Sequence, residues 1–126
     1  MVALWFSKAY LDLRTANALL SLSSEHFESI VFHCQQAVEK SVKGYLVFNK
    51  VRFSKTHDIE KLLEQVAIID SILANKFKAT TQLTKYAVAY RYPEETEVLP
   101  QLERIAVSSI LQLSERAYTE FKRKTE

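Results

Sequence analysis

The sequence predicts an all-α protein, an up-and-down antiparallel four-helix bundle with one short extra helix. Two observations carry this prediction. Apolar residues recur at helical spacing along nearly the whole chain. The 126 residues also include a single glycine, Gly44, and only two prolines, whereas sandwiches and barrels need turn residues every few positions. Because no composition shift, low-complexity stretch or internal repeat divides the sequence, we expect one domain over residues 1–126.

The first two helices are predicted over residues 2–22 and from Ser24 to about residue 50. The serine-rich segment after Leu20 separates them. The apolar stripe of the first helix is Val2, Trp5, Ala9, Leu13, Ala16 and Leu20. The apolar face of the second helix is Phe27, Ile30, Cys34, Val38, Ser41, Tyr45 and Phe48.

The next two helices begin at residues that favour N-caps. Thr56 or Asp58 starts the third, and Asp70 or Ser71 starts the fourth. The third helix carries Ile59, Leu62, Leu63 and Val66 on its apolar face. The fourth carries Ile72, Phe77, Leu83, Tyr86 and Tyr90.

The prolines predict the last boundary. Pro93 ends the fourth helix, because the residue before a proline is disfavoured in the α region, and a loop is expected over residues 91–98. Pro100 suits the first turn of a last helix, where its missing N–H has no intrahelical partner to lose. The apolar face of that helix is predicted as Leu102, Ile105, Ser109, Leu113 and Phe121.

The first and last helices carry more apolar residues than one core-facing stripe uses. The surplus residues are Leu4, Leu11, Val107, Leu111 and Tyr118. Burying them against a second copy would stabilise a dimer by roughly 25 cal/mol per Å² of apolar surface, so we expect a homodimer. The alternative is a single wide core with a few exposed leucines.

The composition gives no indication of several common kinds of function. Seventeen Lys and Arg against fifteen Asp and Glu give a net charge of +2, which does not by itself predict nucleic-acid or membrane binding. The single Cys34 cannot form an intramolecular disulfide, and no Cys/His cluster has zinc-ligand spacing. Uncharged runs such as residues 105–114 fall short of the roughly 18 residues that a membrane span needs, and the first residues lack a signal-peptide layout. We therefore expect a cytoplasmic protein without metal, cofactor or membrane partner.

Four residues of the second helix form a stripe rich in hydrogen-bond donors, namely His33, Gln36, Lys40 and Lys43. Ammonium, amide and imidazole groups on one stripe suit phosphate oxygens. The alternative is a solvated polar face, with Glu39 neutralising part of the charge.

Residues 50–57, with the sequence KVRFSKTH, form the basic segment. It holds Lys50, Arg52 and Lys55 around Phe53, and it has no acid. Basic residues interleaved with an aromatic residue can bind phosphates and stack a base, although three charges are also compatible with a solvated turn. His57 could serve as a ligand donor or acid/base group, and its place before Asp58 also fits helix capping.

A third cluster lies where the fourth helix must stop. Tyr86 and Tyr90 are one helical turn apart, and Arg91 and Tyr92 follow. A guanidinium among phenols favours anion recognition or a structural cation–π cluster. No Gly-rich phosphate loop and no nucleophile–base arrangement is indicated by spacing.

Three stretches stand out in order along the chain: FHCQQAVEKSVKGYLVFNKV at 32–51, KTHDIEKLL at 55–63 and LTKYAVAYRYPEE at 83–95. Together they resemble the HEPN domain, a small nucleotide-binding domain. The matching positions are His33, Gln36, Ala37, Glu39, Lys40, Lys43 and Leu46, with Thr56-His57-Asp58 and Arg91-Tyr92-Pro93. The resemblance implies a four-helix bundle that dimerises, binds nucleotide or nucleic acid, and acts with a small nucleotidyltransferase in a two-component or toxin–antitoxin module.

Ribonuclease members of that family carry an arginine followed, after four to six residues, by a histidine. The positions at that distance from Arg91 hold Thr96, Glu97 and Val98, so the resemblance does not predict catalysis, and we assign no catalytic residue. Arg52 and His57 have four residues between them, which leaves a ribonuclease toxin as one alternative. A purely structural helical bundle is the other.

The main hypothesis is therefore a homodimer that binds a nucleotide or RNA through Lys40, Lys43, His57 and Arg91 in one cleft, with a nucleotidyltransferase partner. The full set of candidate ligand-binding residues is His33, Gln36, Lys40, Lys43, His57, Asp58, Tyr86, Arg91 and Tyr92.

Overall fold

The structure, a computed structural model, describes residues 1–95 and 99–126. Within these residues the chain forms six α-helices and no strand, which confirms the predicted all-α class. The helices are α1 (Val2–Leu20), α2 (Phe27–Phe48), α3 (Ile59–Ile69), α4 (Ser71–Lys76), α5 (Leu83–Arg91) and α6 (Arg104–Arg123). Short 3₁₀ turns lie at Ser24–His26, Lys78–Gln82 and Pro93–Glu95. No described helix is long and apolar enough to cross a membrane.

Helix α2 occupies the centre of the bundle, and α1, α3, α5 and α6 all pack on it. Its side chains are buried on nearly every side over residues 34–46. Gly44 lets α1 approach closely, because a Cβ atom at this position would lie 2.8 Å from Cε2 of Phe6. The core therefore surrounds α2 and includes Ile30, Val38, Leu46, Leu62, Val66, Phe77 and Phe121.

Aspartates begin two of the helices, as the sequence predicted. The Asp58 carboxylate accepts a hydrogen bond from the Glu60 N–H at 3.0 Å and starts α3. The Asp70 carboxylate accepts one from the Leu73 N–H at 3.0 Å and starts α4. These bonds satisfy N–H groups that have no partner within the helix.

The predicted fourth helix is wrong as one continuous element, because it is divided into α4 and α5. The buried Thr80 hydroxyl donates to the Phe77 carbonyl at 2.7 Å in the 3₁₀ turn between them. Such a local side-chain bond offers the backbone an alternative to the helical ladder. Ile72 also differs from its predicted place on the apolar face, since it is exposed.

The predicted start of the last helix is wrong, and its predicted apolar face is wrong in part, since Leu102, Leu113 and Phe121 do pack on the core. It begins at Arg104 rather than at Pro100. The Arg104 guanidinium donates to the Leu20 carbonyl at 2.8 Å and the Leu22 carbonyl at 3.3 Å, which ties this start to the end of α1. The predicted residues Ile105 and Ser109 are exposed. The residues that face the core are Val107, Leu111, Ser114, Ala117 and Phe121.

Because a different face of α6 packs on the core, some residues that were predicted to contact a second copy are buried within the protomer. Val107 and Leu111 are fully part of the protomer's core, and Tyr118 packs against it beside the Phe6 ring. Of the residues predicted to contact a second copy, Leu4 and Leu11 remain exposed.

Candidate functional site

The polar face of α2 lies inside the protein. Gln35, Gln36, Glu39 and Lys43 are all buried, so this part of the face is not a solvated surface. Every buried side-chain nitrogen and oxygen that the structure describes has a hydrogen-bond partner. A fully satisfied polar network of this kind favours one arrangement of the elements around it.

The centre of this network is the Glu39 carboxylate, which is only 4% exposed. The Lys43 ammonium and Nδ1 of His57 each lie 2.8 Å from its Oε1. Nε2 of Gln36 lies 3.3 Å from Oε2 of Glu39 and donates to the side-chain Oε1 of Gln35 at 2.6 Å. Nε2 of Gln35 donates to the His57 backbone carbonyl at 2.9 Å. These five residues are called the Glu39 network below.

The Glu39 network fixes one end of the basic segment against α2. The Lys43 ammonium also lies 5.6 Å from the ring centres of Trp5 and Phe53, within the range of cation–π attraction. The two rings meet edge to face with centroids 6.2 Å apart. The His57 side chain remains 65% exposed. The segment therefore carries a solvent-accessible imidazole that is bonded on one side to the buried Glu39 carboxylate.

The cations of the basic segment itself are directed to solvent. Lys50, Arg52 and Lys55 are exposed, and among the described contacts none of them has an ion pair. Nε2 of Gln65 donates to the Arg52 carbonyl at 2.9 Å, which holds the backbone and leaves the guanidinium directed to solvent.

A second network joins α2 to α1 through Asp12. Nδ1 of His33 lies 2.8 Å from Oδ1 of Asp12, and the Lys40 ammonium lies 2.6 Å from Oδ2. Burial alone would raise the pKa of the Asp12 carboxyl, but the hydrogen bonds from His33 and Lys40 outweigh it and hold that pKa below its ordinary value. These three residues are called the Asp12 network.

Arg91 belongs to an aromatic stack at the end of α5. Its guanidinium lies 5.1 Å from the ring centre of Phe32. The Phe32 ring stacks on Tyr90 with centroids 4.7 Å apart, and its edge contacts His33 of the Asp12 network at 5.4 Å. Tyr92 is exposed. This arrangement is a cation–π cluster, but among the described contacts its ring is Phe32 and not one of the tyrosines considered from the sequence.

Tyr86 faces a different part of the surface. It lines a cavity of about 640 Å³ between the start of α2, α5 and the segment before α6, together with Tyr90, Glu28 and Leu102. Lys40, Lys43, His57 and Arg91 do not line it. Asp58 serves as the N-cap of α3.

The described contacts therefore divide the candidate residues. Gln36, Lys43 and His57 meet at Glu39. His33 and Lys40 meet at Asp12. Within the described part of the chain, Arg91 reaches this second group through the Phe32 ring. The positions of a ribonuclease histidine after Arg91, namely Thr96, Glu97 and Val98, lie outside the described residues.

Asp12, Gln35 and Trp5 were not predicted as site residues from the sequence, which placed Trp5 on the apolar stripe of the first helix. The sequence does contain a signal for Asp12, because this acid lies at helical spacing from Ala9, Leu13 and Ala16, which are the buried residues on the core-facing side of α1. The sequence also contains a signal for Gln35. Gln35, Glu39 and Lys43 follow one another at intervals of four residues, so they lie along one side of the helix. The described part of the chain has no group of three His, Cys, Asp or Glu residues placed to hold a metal ion.

Comparison with known proteins identifies a family, one curated relative and two solved structures with the same fold. A model of the HEPN domain matches residues 2–124. A curated protein of Methanocaldococcus jannaschii, named "Putative toxin MJ1304", is 32% identical over 97 residues. The matched region covers 72% of this chain and 62% of that protein, so the chain spans less than two thirds of its relative.

Two crystal structures share the fold. One is ST0689, an archaeal HEPN homologue, with a TM-score of 0.74, 21% identity and coverage of 100% of this chain and 98% of the other. The second is TT1696 from Thermus thermophilus, with a TM-score of 0.74, 23% identity and coverage of 98% and 97%.

Proposed function

The chain belongs to the HEPN domain family, and on that premise we propose that it binds single-stranded nucleic acid through the basic segment. The observation that carries the proposal is the exposure of Lys50, Arg52 and Lys55, which have no carboxylate partner among the described contacts, beside an imidazole held by Glu39. Cations that are free of acids can replace the counterions of phosphates and gain affinity from their release.

The lysines of α2 are less suited to this role. Lys40 and Lys43 already donate to carboxylates at 2.6 and 2.8 Å. A phosphate would have to compete with those acids, and Lys43 is buried as well. We therefore place the phosphate contacts on the basic segment, keep His57 in the site, and assign Lys40, Lys43 and Arg91 to holding the surrounding elements.

The binding test compares two triple variants by fluorescence anisotropy with a labelled single-stranded RNA. The first is K50Q/R52Q/K55Q. The second, K61Q/K78Q/R116Q, removes the same charge from three exposed cations elsewhere. We expect the first to bind more weakly, and the slope of log affinity against log salt to fall by about 0.7 for each phosphate that the variant no longer neutralises. Equal weakening by both variants, or no saturable binding by the wild type at low salt, would refute the proposal.

We further propose that this protein is the toxin-like component of a two-component module, as a homodimer in the cytoplasm with a nucleotidyltransferase partner. The name of the M. jannaschii relative supports the first part, and the family resemblance supports the partner. Induced expression should slow growth, co-expression of the nucleotidyltransferase should restore it, and K50Q/R52Q/K55Q should have no effect on growth. Normal growth with the wild-type protein expressed alone contradicts the toxin assignment.

A ribonuclease is the second candidate. It is favoured by the bond between Glu39 and His57, which orients the imidazole of the Arg52/His57 pair. No described hydrogen bond or ion pair orients the Arg52 guanidinium toward it, and we expect purified protein to leave RNA intact with or without divalent metal. Cleavage that is lost in H57A would establish the ribonuclease instead.

A further inference from the structure

The bond between Glu39 and His57 fixes which imidazole nitrogen carries a proton. An ionised carboxylate only accepts hydrogen bonds. Oε1 of Glu39 already accepts one from the Lys43 ammonium at 2.8 Å. Nδ1 of His57, at 2.8 Å from the same oxygen, must therefore be a donor.

The other nitrogen takes the opposite character. In a neutral imidazole one nitrogen donates and the other accepts, so in the neutral ring Nε2 of His57 carries a lone pair. No hydrogen bond to Nε2 is described, and the side chain is 65% exposed. The backbone is held too, because Nε2 of Gln35, a fully buried residue, donates to the His57 carbonyl at 2.9 Å.

An exposed acceptor in a cationic segment selects between nucleic acids. Phosphate oxygens are acceptors and cannot bind to a lone pair. The ribose 2′-hydroxyl can donate to it, and this group is what distinguishes RNA from DNA. We infer that Glu39 is a positioning residue that makes His57 a specificity-determining residue for RNA over DNA. The inference rests on the proposed nucleic-acid binding for its ligand, but the geometry of the imidazole can be tested without one.

The chain provides its own control for that measurement. His33 contacts Asp12 through Nδ1 at 2.8 Å, as His57 contacts Glu39. The sequence has only three histidines, so the ¹⁵N chemical shifts of all ring nitrogens can be assigned by NMR at a pH where the rings are neutral. We expect both His33 and His57 to carry their proton on Nδ1. E39Q should change the tautomer of His57 alone, because an amide donates as well as accepts, and D12N should change that of His33 alone.

The functional test measures affinity for oligouridine and oligodeoxyuridine, which differ only in the 2′-hydroxyl. We expect the wild type to prefer the RNA by about five- to tenfold for one hydroxyl contact. E39Q and H57A should lose this preference, whereas D12N should retain it. E39Q leaves the buried Lys43 without a carboxylate partner. The double variant E39Q/K43M, with an apolar chain between Trp5 and Phe53, keeps the test usable if E39Q does not fold.

The outcomes separate the two proposals. If the neutral His57 ring of the wild type carries its proton on Nε2, the inference is overturned, whichever oligomer the protein binds. Equal affinity for both oligomers, unchanged in E39Q, also overturns it while leaving nucleic-acid binding intact. Absence of binding to either oligomer refutes the proposed function and with it the assigned ligand of His57.

Discussion

The Cys34 thiol illustrates how strongly this core determines the chemistry of a single residue. Cys34 is completely buried, and burial, the largest effect on it, raises the pKa of the thiol to about 12. At neutral pH almost none of it is thiolate, and the thiolate is the reactive form. We expect native protein to resist a thiol-specific disulfide reagent and unfolded protein to react completely. Rapid labelling of the native state would show that α2 is more accessible than its packing indicates.

Asp12 predicts a specific dependence of stability on pH. Because the pKa of its carboxyl is lower in the folded than in the unfolded protein, the ionised group stabilises the fold at neutral pH. That contribution is lost as the pH falls from about 4, the value of a free aspartate, through the folded pKa. D12N should reduce the free energy of unfolding by about 1–3 kcal/mol at pH 7, and the difference from wild type should shrink in acid.

Urea unfolding at several pH values measures this difference. The matched control is E64Q, since Glu64 is exposed and has no described ion pair. It should leave stability unchanged at every pH. A D12N variant that follows the wild type at pH 7 would mean that the Asp12 network contributes nothing to folding.

Between elements, the contact of α1 with α2 depends on Gly44. Alanine in place of glycine normally stabilises a helix by about 1 kcal/mol. Here the new Cβ would lie 2.8 Å from the buried Phe6 ring, so we expect G44A to lower the free energy of unfolding by about 1–3 kcal/mol. In the background of F6L the same change should cost less, because the smaller side chain leaves room. Stabilisation by G44A alone would contradict the close packing described for this pair of helices.

The sequence predicts elements well where one local signal determines them. Asp58 and Asp70 mark the starts of α3 and α4, because a carboxylate at the N-cap acts on its own backbone. Helix α6 has two apolar stripes of similar quality, and periodicity cannot choose between Ile105 and Val107. The choice is made by tertiary contacts, including the bonds from Arg104 to the end of α1.

The same limit applies to the candidate site. The spacing of Lys40 and Lys43 indicates a shared stripe, but it does not show that Asp12 neutralises Lys40 or that Glu39 also holds His57. That outcome depends on where α1 and the basic segment lie on α2. The basic segment itself was visible in the sequence, because a local excess of cations without an acid needs no knowledge of the fold.

At the scale of the whole molecule, we still predict a homodimer, because two leucines of α1 remain exposed. Leu4 and Leu11 are 57% and 54% exposed and lie two turns apart. Sedimentation at micromolar concentration should give about twice the protomer mass of 14.6 kDa. L4K/L11E should yield the protomer alone. I68K, on an isoleucine of α3 that is 87% exposed, should leave the dimer intact. A wild-type monomer, or dissociation by I68K, would contradict an interface on α1.

The central place of α2 has a consequence for how the protein opens. Since α1, α3, α5 and α6 each cover part of it, detaching any one neighbour leaves most of its backbone amides protected. In hydrogen–deuterium exchange, the amides of the middle of α2 should therefore exchange only with the free energy of complete unfolding, while the basic segment exchanges through smaller fluctuations. The slowest amides would then report global stability directly, and would remain slow while the basic segment opens and closes.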